Sequence, residues 1–148
     1  MDNPLLEAYA VVVTQDIAWG EMDAMGHVNN AVYFRYFETA RLVYIERLNN
    51  FGLVAADGIG PILAKIDCRF RLPLTYPDTI SIGVRVTEIA EDRFKMQHRI
   101  VSHTHQKIAA EGVGTVVCFD YHTNRKVPFP AAVREQIDAV DAPAAFQY

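Results

Sequence analysis

Cysteine is scarce: Cys68 and Cys118, fifty residues apart, are the only two in a chain of 148. Each stands in an alternating apolar stretch, so neither a disulfide framework nor a zinc-ligand spacing is available, and both read as buried thiols in a reducing compartment. Positive charge is also in deficit, with 14 Lys and Arg against 18 Asp and Glu for a net charge of −4. That balance leaves no basic footprint for nucleic acid or anionic lipid, so an anionic ligand must be held by local positive groups. No uninterrupted apolar run approaches membrane length, and Met1–Glu7 has no basic region leading into an apolar stretch. A cytoplasmic protein without membrane insertion is expected. His98, His103, His105 and His122 form neither an i, i+4 helix pair nor a pairing with cysteine, so no metal is expected. Repeats and low-complexity linkers are missing too. What remains is a 51% hydrophobic composition, enough for the core of one domain over residues 1–148.

Val and Ile mark a first strand over Tyr9–Trp19, and Gly20–Asn30 reads as a polar loop whose Asn29 or Asn30 caps a helix. From Ala31 to Leu48 neither Gly nor Pro occurs, and the spacing predicts one helix of about five turns. Tyr33, Phe37, Tyr44 and Leu48 share one face of it and Arg35, Thr39 and Glu46 the opposite one. Arg41 falls among the aromatics and needs a partner, for which Glu38 is the nearest candidate. Asn49 to Gly52 close the helix, with Gly52 suited to a left-handed cap. Alternation then predicts strands over 62–72, 80–87, 94–100 and 107–121, separated by Pro73–Asp78, Glu91–Asp92 and His103–His105. Gly112 and Gly114, two apart on one face, permit close approach of a helix or bending of the strand. A short helix over about 128–138 and a mobile tail from about 139 complete the chain. A lone apolar helix must be covered, so the expectation is an α+β fold with a curved antiparallel sheet wrapped around a central helix.

Reactive side chains concentrate in the loop before that helix. A helix start presents unpaired N–H groups and partial positive charge, which suits the polarisation of a thioester carbonyl. Hydrolysis needs an oxyanion stabiliser and, on the other side of the carbonyl, a base or nucleophile. Asp23 lies a few residues before the cap, Gly26 permits a tight backbone, and His27 is able to donate a hydrogen bond, orient Asp23 or protonate the departing thiolate.

The run Asp23-Ala24-Met25-Gly26-His27-Val28-Asn29-Asn30, followed by Tyr33, Glu38 and Arg41, resembles the D-x-x-G-H-V-N-N-x-x-Y-x-x-x-x-E-x-x-R signature of the hotdog-fold 4-hydroxybenzoyl-CoA thioesterase-like family. It is also similar to a segment of plant acyl-carrier-protein thioesterases, except that Met25 stands where those have Asn, so a mechanism depending on that Asn does not transfer. The resemblance covers about 130 residues, in detail over the loop and helix and in order and length over the later strands. It implies a five-stranded hotdog sheet, self-association edge to edge as a dimer or dimer of dimers, and acyl sites at the subunit interface. It further implies that Asp23 acts as nucleophile or general base and that main-chain N–H groups of Gly26, His27 and Val28 bind the thioester oxygen, with Asn29, Asn30, Glu38 and Arg41 in support. Other members use a carboxylate on the helix, a position with which Glu38 is out of register.

The expected activity is hydrolysis of a small or medium acyl-CoA, with coenzyme A as part of the substrate and no separate cofactor. Tyr33, Phe37 and Tyr76 are candidate walls for the acyl or pantetheine channel. Arg69 and Arg71, with Arg93, Arg125 and Lys126, are candidates for the phosphates. Two other readings stand beside this one: an enoyl-thioester hydratase on the same fold, and a non-catalytic module that binds acyl-thioesters.

Overall fold

A computed structural model of the chain describes residues 3–48, 51–52 and 57–147. Along these residues run β1 (Val11–Asp16), α1 (Asn30–Glu46), β2 (Ile59–Ile66), β3 (Arg69–Phe70), β4 (Thr79–Ile89), β5 (Arg93–Ser102), β6 (Lys107–Asp120), β7 (Arg125–Lys126), α2 (Ala131–Asp141) and β8 (Ala144–Ala145). The five long strands are ordered β1-β4-β5-β6-β2, every neighbouring pair antiparallel. β3 and β7 add short pairings to β6, and β8 pairs in parallel with β4. Register shifts at Leu63/Lys65, Val86/Glu88 and Ile100/Val101 bend the sheet, which curls about α1 as the α+β expectation requires.

Alternation decides which face is buried. Ile80, Ile82, Val84 and Val86 of β4, with Phe94, Met96, His98 and Ile100 of β5, point inward, and all are buried against the helix side. From α1 come Tyr33, Tyr36, Phe37, Ala40, Tyr44 and Ile45. Burial of each large side chain contributes roughly 1.5–3 kcal/mol. Phe37 reaches the sheet only because residue 112 is glycine: a Cβ there would lie against the Asp67 carbonyl and 2.6 Å from Phe37 Cε2. Asn29 caps the helix, its Oδ1 accepting the Ala31 N–H at 3.0 Å.

Several sequence expectations change. β1 is shorter than Tyr9–Trp19, because Tyr9 packs over Gly83 and the chain turns away after Asp16. The helix ends at Glu46 with Arg47 as its cap, so Gly52, although at φ +80°, is not the terminator; Asn49 and Asn50 lie outside the described residues. The strand expected over 62–72 is two strands broken at Asp67–Cys68, and its inward set is not buried: Ile62 is 38% exposed and Phe70 48%. β2 is the edge of the sheet, and Ile66, Cys68 and Leu72 are only partly buried where they pack against the core. Arg41 is buried, but its guanidinium turns to His98 Nε2 at 3.4 Å, and no ion pair joins it to Glu38 among the described residues. The terminal helix runs to Asp141, beyond the end expected near residue 138. Asp141 Oδ2 accepts both the Tyr44 hydroxyl and the Val86 N–H at 2.8 Å, the latter beside a bulge of β4, and Ala144–Ala145 pairs beyond it. No helix among the described residues is long and apolar enough to cross a membrane.

Candidate active site

The loop between β1 and α1 is held from both ends. Ile17 N–H donates to the Asp78 carbonyl at 2.9 Å, and the 3-10 turn Trp19–Glu21 follows. Glu21 Oε1 closes that turn by accepting the Ala18 N–H at 2.8 Å and the Tyr36 hydroxyl at 3.0 Å, while its carbonyl accepts Asn29 N–H at 3.0 Å. Burial first, and then Glu21, push the Tyr36 phenol well above its usual range, so it remains a donor. Asp23 to His27 then form a tight reversal, with Asp23 N–H donating to His27 O at 2.7 Å and Gly26 N–H to Asp23 O at 3.1 Å. Gly26 sits at φ +79°, a conformation that a side chain would strain.

Within this reversal the Asp23 carboxylate is exposed but not free to wander. Its Oδ1 accepts Met25 N–H at 2.9 Å and His27 N–H at 3.3 Å, which leaves Oδ2 without a partner among the described residues. His27 touches Asp23 through its main chain; no hydrogen bond joins its ring to the carboxylate.

The amides expected as oxyanion donors are engaged in hydrogen bonds. Gly26 and His27 spend their amides on Asp23, and Val28 N–H donates to Leu74 O at 2.8 Å. Asn29 N–H goes to Glu21, Ala31 N–H to the Asn29 side chain and Val32 N–H to Asn29 O. The Asn30 N–H, the first amide of α1, has no acceptor among the described residues.

Asp23, His27, Val28 and Asn30 line a cavity of about 310 Å³ together with Tyr33, Phe70, Arg71 and Leu72. Tyr33 is anchored by its hydroxyl, which accepts Leu74 N–H at 3.0 Å, and its ring meets Phe70 edge to face at 4.9 Å. Arg71 pairs with Glu111 at 2.9 Å while its side chain stays 44% exposed. Tyr76 lines a different cavity that also holds Asp23. The other expected contributors are elsewhere. Phe37 is core, tilted over His98 at 4.9 Å. Arg69 is exposed on β3 and does not line the cavity. Glu38 is exposed about 12 Å along the helix axis from Asn30, at 1.5 Å per residue.

Two thiols are removed from consideration. Burial first, then Asp67, pushes Cys68 up to about 11, and burial, then Asp92 and Asp57, does the same to Cys118. Both are protonated at neutral pH and are poor nucleophiles. No three His, Cys, Asp or Glu among the described residues come together to hold a metal ion. Residues that the sequence did not single out include Phe70, placed on the inward set by alternation alone, and the Glu21–Tyr36 pair, whose contact across fifteen positions has no local signal.

A curled five-stranded sheet around one helix, with an acid held beside the helix start, defines the hotdog class of folds in which thioesters are handled. The family model of the thioesterase-like superfamily matches residues 17–137, and the chain belongs to that family. Similar curated proteins include the long-chain acyl-CoA thioesterase FadM of Escherichia coli, 24% identical over 117 residues that cover 79% of this chain and 89% of that one. The 1,4-dihydroxy-2-naphthoyl-CoA hydrolase of Synechococcus elongatus is 28% identical over 125 residues, 80% of this chain and 88% of that one. Among solved structures, a thioesterase from Thermus thermophilus complexed with coenzyme A and Zn superposes with a TM-score of 0.81 at 29% identity, covering 92% of this chain and 97% of that one.

Proposed function

We propose that this chain hydrolyses acyl-CoA thioesters to the free acid and coenzyme A, with Asp23 as the carboxylate that acts on the thioester carbon. The observation that carries the reading is that Asp23, with its uncommitted Oδ2, and Asn30, with its uncommitted N–H, line one cavity at the start of α1. Asp23 takes a proton from the water that attacks the carbonyl carbon, or attacks that carbon itself to leave, once the thiolate has departed, a mixed anhydride that water then cleaves to the free acid and the Asp23 carboxylate. As the carbon becomes tetrahedral, charge grows on its oxygen, and the Asn30 N–H at the positive end of the helix is the donor available to receive it. Collapse expels the thiolate of coenzyme A, and His27, on the cavity wall, supplies a proton to it. Arg71 beside the same cavity attracts the phosphates of the leaving group.

The decisive experiment is turnover of an acyl-CoA panel, read by free thiol, for the wild-type chain and Asp23→Asn. The amide oxygen of Asn accepts the same two N–H groups, so the loop survives while the carboxylate is lost. A loss of about 10²–10⁴ in kcat is expected; full turnover in a folded Asp23→Asn variant removes Asp23 from the chemistry. We also infer that two copies join along β2, an edge strand on which Ile62 and Leu63 are 38% and 41% exposed. Light scattering at micromolar concentration should give at least twice the 16.7 kDa of one chain, and a monomer would rule the pairing out.

A further inference from the structure

Asp23 stands in a wall between two cavities. Besides the one of about 310 Å³, a second of about 720 Å³ shares only Asp23 with it and is lined by Trp19, Gly20, Met22, Gly26 and Tyr76 among others. The two differ in charge. Arg71 lines the first, whereas no basic side chain among the described residues lines the second. Tyr76 also borders an adjoining cavity that carries Asp16 and Asp78 along with His103. A thioester of coenzyme A has one polyanionic arm and one uncharged acyl arm. With the carbonyl at Asp23, the phosphates favour the arginine side and are repelled from the side bordered by aspartates.

The backbone beside the second cavity is held in place. Trp19, the chain's only tryptophan, is 76% exposed on a turn that Glu21 closes through Ala18 N–H. Tyr76, 49% exposed, is held from both sides: Leu74 is bonded to Val28 and Tyr33, and Asp78 O accepts Ile17 N–H. Two rings carried on backbone held in this way and left to water offer a surface to something apolar, and an open cavity of about 720 Å³ beside them has room for an acyl group. Resting on the reading that Asp23 acts on the thioester carbon, we propose that the acyl group occupies this chamber and that Trp19 and Tyr76 select bulky apolar and aryl acyl groups over short ones.

The test compares kcat/KM for acetyl-, hexanoyl-, palmitoyl- and benzoyl-CoA in the wild type, Trp19→Ala, Trp19→Phe, Tyr76→Ala and Asp23→Asn. Trp19→Ala should lower the palmitoyl-to-acetyl and benzoyl-to-acetyl ratios about tenfold, with Tyr76→Ala acting in the same direction and Trp19→Phe recovering most of the ratio. The same shift should persist when N-acetylcysteamine thioesters replace the CoA esters, since the rings contact the acyl arm. Equal loss on every acyl group, or a shift that vanishes without the nucleotide, overturns the proposal. So does equal loss accompanied by a change in sedimentation, which marks the aromatic face as a contact between copies. Full turnover in Asp23→Asn overturns the reading of the site itself and this proposal with it.

Discussion

Replacing Asn30 by proline deletes its N–H together with the Asn side chain, and the second loss can be controlled for. Asn30 is the first residue of α1, a position whose N–H has no partner in the helix and whose φ suits the pyrrolidine ring. Asn29 before it lies at φ −57° and ψ 135°, extended as a residue preceding proline must be. The cap is untouched, because Asn29 bonds Ala31 and Val32 rather than residue 30. Asn30→Pro should therefore melt within a few degrees of the wild type. If the Asn30 N–H is the donor to the developing oxyanion, its loss costs about 2.7–4 kcal/mol in the transition state, or roughly 10²–10³ in kcat. Asn30→Ala, which keeps the N–H, serves as the control for the lost side chain. Steady-state thiol release from acyl-CoA and a thermal melt are sufficient measurements. A kcat for folded Asn30→Pro within about threefold of Asn30→Ala would refute the assignment and return the oxyanion to the loop amides.

Two further outcomes concern the core. His98 is fully buried, its Nδ1–H donating to Gly112 O at 3.2 Å and its Nε2 accepting from Arg41 at 3.4 Å; burial first, and Arg41 second, hold its pKa down to about 3 from the usual 6.5. The unfolded chain gains a proton near pH 6.5 that the folded chain refuses until about pH 3, so the stability is complete above pH 6.5 and declines as pH falls, by about 2 kcal/mol at pH 5. Urea titrations from pH 7 to pH 5 should show that loss in the wild type and a flatter profile in His98→Gln; identical slopes would exclude His98 as the source. Gly112→Ala should destabilise by about 2–4 kcal/mol, since its Cβ meets the Asp67 carbonyl and, at 2.6 Å, Phe37. An unchanged denaturation midpoint would mean that helix and sheet separate there at little cost.

Much of the architecture is legible before any coordinates, for reasons that particular residues make plain. β4 and β5 alternate because one face meets α1 and the other does not, so period two survives in the sequence. α1 is legible from its long stretch without Gly or Pro and from Asn29, whose capping bond is local. β2 and β3 are not, because the alternation of Ile62, Ala64 and Ile66 describes a strand but not its place at the sheet edge. The same limit applies to Arg41. Sequence offers Glu38 three residues away, whereas the partner chosen, His98, is fifty-seven positions distant. Within the site, Asp23, His27, Tyr33 and Arg71 are brought together as expected, while Phe37, Glu38 and Arg69 are not. The loop amides could not be assigned from spacing at all. Which N–H remains uncommitted depends on Leu74 crossing to Val28, a contact between segments forty-six residues apart.

That allocation of amides also explains why an acid beside a helix start does not simply cap it. A carboxylate near free N–H groups at the positive end of a helix is drawn onto them, and once there it would neutralise the field that a substrate oxygen needs. Here the cap is Asn29, which satisfies Ala31 N–H at 3.0 Å without adding charge. Asp23 is kept off the helix by Met25 and His27 N–H groups of its own loop, both on Oδ1. An aspartate at position 29 would cap as well but would place a negative charge beside the Asn30 N–H. A neutral amide at the cap and an acid restrained one loop earlier leave the Asn30 N–H and Asp23 Oδ2 without partners among the described residues, on the wall of one cavity.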